Sequence, residues 1–93
     1  MIRVISVEPL ENHRLRIQLS NGKTGIFDVS PYLDKGVFYE LRDPKYFRLV
    51  KVAFGGIMWP REQDFSADTI EYDLEEESPN MRLHEDRSLP RGL

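Results

Sequence analysis

Cysteine is absent from this chain, and histidine occurs only twice, at His13 and His84. Without thiols there is no disulfide framework and no thiolate metal site. Long apolar runs are missing too. Nothing approaches the ~20 consecutive apolar residues of a membrane helix, and the opening "MIRVISVEPL" is too short and too interrupted for a secretory signal. These absences predict a soluble cytoplasmic protein with no membrane association. Positive charge is missing from one stretch: residues 62–77 hold eight acids and no base, net −8. Residues 1–61 carry ten basic and six acidic side chains, net +4, and residues 78–93 three and two, net +1. A block of acids is either a solvated face or a surface for a basic partner.

What is present bounds the rest. Ninety-three residues make one domain, and 40% hydrophobic and 11% aromatic content is enough for a small core. A domain of this size has about 5–10 kcal/mol of net stability at best, so support from a partner subunit, including a second copy, is in keeping with its size.

The pattern along the chain is strand first. Ile2, Val4 and Val7 begin a strand that Pro9 ends. Leu15, Ile17 and Leu19 alternate with Arg14, Arg16 and Gln18, the period of a half-buried strand. Asn21-Gly22 then supplies the positive φ angles of a tight hairpin turn, and "TGIFDV" is the return arm. "SPYLDKG" reads as a short helix with Ser30 as cap, Pro31 at its first position and Gly36 as stop. "VFYELRD" continues with a second turn, and Asp43-Pro44 starts another. "RLVKVAF" alternates again, with Val50, Val52 and Phe54 as the better core face. Gly55-Gly56 is the hairpin connection, "IMW" the return arm, and Pro60 the stop. "SADTIEYDLEEE" reads as a helix capped by Ser66. Its apolar stripe is Ala67, Ile70 and Leu74, with Asp68, Glu71 and Glu75 facing outward. From Ser78 the periodicity is lost, which predicts a disordered tail over 78–93 behind a single domain over 1–77.

Chemistry is thin. Asp64, Asp68, Glu71 and Asp73 lack the glycine and the alternation of a calcium loop. The two histidines have no partner set, and no serine sits in a Gly-x-Ser-x-Gly elbow. "GKTG" at 22–25 lacks the spacing of a phosphate loop and falls in a turn. No nucleophile, base and orienting group can be assembled, so neither an enzyme nor a cofactor or metal is expected. Arg3, Arg14, Arg16, Arg48 and Lys51 lie on strands or at their ends. They form either a solvated outer face or one that attracts phosphate. Trp59, directly before Pro60, either plugs the core edge or anchors an interface. The candidate partner surface is therefore Trp59 with Asp64, Asp68, Glu71 and Glu75.

Several of these features recur together in a recognisable order: Asn21-Gly22, Phe27-Asp28-Val29, Leu33, Leu41, Asp43, Phe47, Gly56, Trp59-Pro60, Asp64 and Asp68. In this combination the chain, over roughly residues 2–73, resembles the small bacterial family catalogued as domain of unknown function 2442. The resemblance implies an α+β fold: a small antiparallel sheet of two hairpins plus an N-terminal strand, with two or three short helices. It implies no enzyme activity and no catalytic residues. It also implies gene neighbourhoods arranged like toxin–antitoxin pairs, and in some relatives an added helix-turn-helix domain that these 93 residues do not show. The expectation is thus a protein-binding module, antitoxin-like, whose partner is a small protein encoded by an adjacent gene. The alternative is a nucleic-acid-binding or regulatory domain using the basic sheet face.

Overall fold

Two small antiparallel sheets enclose the core, with short helices closing its open sides. The structure is a computed structural model and describes residues 1–77. The tail expected over 78–93 lies outside the described residues. The first sheet has four strands, β1 (Val4–Pro9), β2 (Arg14–Leu19), β3 (Thr24–Asp28) and β7 (Glu75–Glu76), in that spatial order. The second has three, β4 (Lys51–Ala53), β5 (Gly56–Met58) and β6 (Asp64–Phe65). The α+β class and antiparallel pairing are as expected, with the strands distributed over two sheets. The sheets meet where β1 runs beside β4, and the Val4 amide donates to the Gly55 carbonyl at 2.9 Å.

The alternation in β2 has the expected result. Leu15, Ile17 and Leu19 are buried while Arg14, Arg16 and Gln18 are exposed. Opposite them the second sheet contributes Ile57, Trp59 and Phe65, and the remaining walls come from Leu41, Phe47, Ala67 and Ile70. Phe65 is the aromatic hub, with its ring 4.8–5.1 Å (centroid to centroid) from Phe38, Tyr32 and Phe27, and 6.0 Å from Trp59. Such edge-on and offset contacts add to the area that each ring buries.

The helices are short. Two 3-10 segments, Ser30–Tyr32 and Gly36–Arg42, precede α1 (Pro44–Phe47) and α2 (Ala67–Asp73). Asp43 caps α1 by accepting from the Lys45 amide at 3.0 Å, and Ser66 caps α2 by accepting from the Thr69 amide at 3.2 Å, both as expected. The first 3-10 segment differs. Its N-cap is Val29, which has no side-chain oxygen, and Asp28 instead accepts from the Ser30 amide at 2.9 Å. Gly36 opens the second 3-10 segment and does not end the first.

Three further differences have clear physical causes. The chain around Asn21-Gly22 does not make a two-residue turn. The Gly22 amide donates to the Leu19 carbonyl and the Leu19 amide to the Lys23 carbonyl, closing a three-residue loop in which only Gly22, at φ +92°, is left-handed. Residues 20–22 thus form a turn followed by a glycine bulge, the next commonest hairpin loop.

The second hairpin slips by one residue. Ala53 pairs with Gly56, so the turn is Phe54-Gly55, not Gly55-Gly56. Phe54 (φ +52°) and Gly55 (φ +82°) are both left-handed. Gly56 moves into β5, where a Cβ would collide with the Phe65 carbonyl oxygen, so glycine is required there to let β6 pair. Of the Val50, Val52, Phe54 face only Val50 packs against the core; Val52 is 39% and Phe54 95% exposed.

The last helix stops at Asp73. Leu74 is extended, and Glu75–Glu76 pairs with Gly25 and Ile26 as β7. Three successive glutamates at a helix C-terminus oppose its dipole. Past the helix two of them meet bases instead: Glu76 lies 3.9 Å from Lys23, and Glu77 2.7 Å from Arg16.

Candidate functional site

Of the five residues expected to form a partner surface, Trp59 does not reach the surface. Trp59 is fully buried, with its ring against Phe47 and Phe65, and its Nε1–H donates to the Phe47 carbonyl at 2.8 Å. It is a core plug and offers nothing to a partner from that position. Glu71 is half-buried and shares Lys23, at 3.2 Å, with Glu76; Asn21 also donates to it. Glu75 stands on the outer face of the first sheet, not on a helix. Asp64 lies on β6, and Asp68 in the first turn of α2. Asp64, Asp68 and Glu75 are exposed and have no ion-pair partner among the described residues.

The basic sheet face is interleaved with acids. Glu8 pairs across from Arg16 on one side and Glu75 lies beyond Ile26 on the other. Arg16 Nη1 donates to both carboxylate oxygens of Glu77, at 2.7 and 2.8 Å, and the guanidinium lies 3.8 Å from Glu8.

Gln63 is the only buried polar side chain among the described residues, and its amide is fully engaged. It donates to the Val37 carbonyl and to Glu40, and accepts from the Tyr46 hydroxyl at 2.7 Å. That network pins the turn after Trp59, where the Glu62 amide donates to the Trp59 carbonyl and the Trp59 amide to the Gln63 carbonyl. The loop has the same bonding as residues 19–23, but its left-handed position holds Glu62, at φ +74°, where the other holds Gly22. One titratable group is clearly displaced. The Tyr32 hydroxyl donates to Asp73 at 2.5 Å, and this bond, then burial and the carboxylate charge, push its pKa up to about 12.

Against this satisfied background one feature stands out. Phe54 sits at the tip of the β4–β5 hairpin, left-handed and almost wholly exposed. Bulky residues rarely adopt that backbone region, which favours Gly, Asn and Asp. Three segments meet beside it around a cleft of about 290 Å3: the hairpin tip, residues 1–3 and residues 66–68. Ile2, Phe54 and Ala67 form apolar walls, and Arg3 and Asp68 bring one charge of each sign. Arg3 is held there by its backbone. Its amide donates to Ser20 Oγ at 2.8 Å, and its carbonyl accepts from the Ser20 amide at 2.7 Å. Sequence reasoning missed Phe54 because it placed the residue one step away from the turn. The signal lay in the paired glycines, of which the first completes the turn and the second serves strand packing.

Among the described residues no group of three or more His, Asp or Glu side chains is placed to hold a metal, and no helix is long and apolar enough to cross a membrane. No curated protein and no solved structure matches the chain. A family model does, over residues 4–76, and the chain therefore belongs to the family described as "Protein of unknown function (DUF2442)".

Proposed function

We propose that this protein is a non-enzymatic protein-binding module and that Phe54 is its anchor. The observation that carries the reading is a double penalty at one residue. The left-handed backbone is unfavourable for a bulky side chain, and full exposure of the ring forgoes its burial energy. Neither turn formation nor core packing calls for Phe at this position. Strain that folding does not require points to function, and aromatic rings are enriched at protein interfaces. The exposed carboxylates Asp64, Asp68 and Glu75 would steer a basic partner, and added salt would slow its association.

An antitoxin-like role in the cytoplasm, holding the product of an adjacent gene, is the biological form of this reading to test first. Phosphate binding by the outer sheet face has weaker support, because Arg16 is already bound by Glu77 and acids interleave with the bases. The experiment is Phe54→Asn. Co-purification with the adjacent gene's product should be lost. The far-ultraviolet circular dichroism should stay that of the wild type. A folded variant that associates as the wild type does would contradict the reading.

A further inference from the structure

The Phe54 surface carries a projecting ring and an apolar cleft side by side, flanked by one cation and one anion. We infer that it is an isologous interface and that the occupant of the cleft is Phe54 of a second copy of this chain. The inference rests on the reading of Phe54 as an anchor and names what it docks on. A two-fold contact needs a self-complementary patch, in which each feature finds its counterpart on the same patch of the other subunit. Here the ring is the knob and the cleft the socket. The cleft volume of about 290 Å3 is ample for a phenyl ring, since a cavity of about 150 Å3 already takes benzene.

The charges fit the same symmetry. Arg3 and Asp68 lie on one cleft, and neither has an ion-pair partner among the described residues. A two-fold axis can set Arg3 of each copy against Asp68 of the other, forming two pairs from groups that have none among the described residues. A partner chosen for basic charge alone would leave Arg3 opposed by like charge. The Arg3 and Asp68 side chains thus offset each other at the cleft, although residues 62–77 as a whole are strongly acidic.

The test is a charge exchange read by sedimentation equilibrium, with any tag at the C-terminal end because residues 1–3 form a wall of the cleft. The wild type should dimerise. Arg3→Asp and Asp68→Arg should each be monomeric, because each sets like charges against each other twice. An equimolar mixture of the two variants should dimerise again, since each interface then regains two opposite-charge pairs. Phe54→Asn should weaken the dimer by about 30-fold or more, the fold-change equivalent to a hot-spot loss of about 2 kcal/mol. A mixture that stays monomeric, or a dimer indifferent to Phe54→Asn, overturns the inference. A wild type that is monomeric at high concentration overturns it too. In that case, loss of the adjacent-gene product on Phe54→Asn leaves the anchor reading standing, and its retention removes both.

Discussion

Replacing Phe54 with Asn should make the isolated domain more stable, against the rule that removing a large apolar residue weakens a protein. The ring is 95% exposed, so its removal forfeits almost no burial. What changes is the turn. Phe54 and Gly55 occupy the two central positions of a hairpin at φ +52° and +82°. A left-handed conformation costs an ordinary L-residue roughly 1–2 kcal/mol. Asn-Gly is among the pairs such turns favour most strongly, so about 1 kcal/mol of that cost should be recovered. For a domain under 100 residues this corresponds to a rise of about 4–8 °C in Tm. The assay is thermal unfolding by circular dichroism at a concentration where the wild type sediments as a monomer, because dissociation of a dimer would mask the gain. A fall in Tm under those conditions would refute the reasoning. It would mean that the ring packs on the domain, or that the turn sits at Gly55-Gly56 after all.

Three other substitutions probe separate parts of the account. Trp59→Ala should cost about 3–5 kcal/mol in denaturant unfolding, as large aromatic truncations in cores do; a loss under about 1 kcal/mol would mean the indole is not the plug its burial indicates. Glu62→Gly should add up to about 1 kcal/mol, because glycine occupies the left-handed position without penalty, and a decrease would mean that the Glu62 side chain makes a contact worth more than the strain. Tyr32 concerns alkaline pH. Its pKa is raised to about 12 in the fold, above the ordinary 10.0, so the unfolded chain releases that proton first. The contribution of its bond to Asp73 is present below pH 10 and fades between about 10 and 12. Tyr32→Phe should remove a phenolate step near pH 12 from the ultraviolet titration, and loss of a step near pH 10 instead would show that the bond to Asp73 does not hold the proton.

What could be read from the sequence were features with strong local physics. The alternation in residues 14–19, the Asp43-Pro44 and Ser66 helix starts and the stop at Pro60 each depend on one or two neighbouring residues. The features that could not be read depend on partners distant in sequence. A two-glycine hairpin admits two registers, and the decision between them comes from β6, which approaches β5 too closely for any Cβ at residue 56. β6 is two residues long, too short for a period to show. The glutamates at 75–77 have good helix propensity, and only the free edge of β3, with Lys23 and Arg16 nearby, draws them into a strand. The candidate site follows the same logic. Phe54 looked like a core residue until the register was known, and Arg3 and Asp68 are 65 positions apart in the numbering of the chain.

The central claim, that Phe54 meets another protein, can be tested at the residue itself. Position 54 can carry p-benzoylphenylalanine, a photoreactive aromatic of the same backbone, and be irradiated in cells; Tyr72, an aromatic 89% exposed in α2, serves as the control site. The account predicts one discrete crosslinked protein band from position 54, with a mass that identifies a second copy or a different partner, and none from position 72. Absence of any protein crosslink from position 54 would contradict it, as would a smear no different from that at position 72.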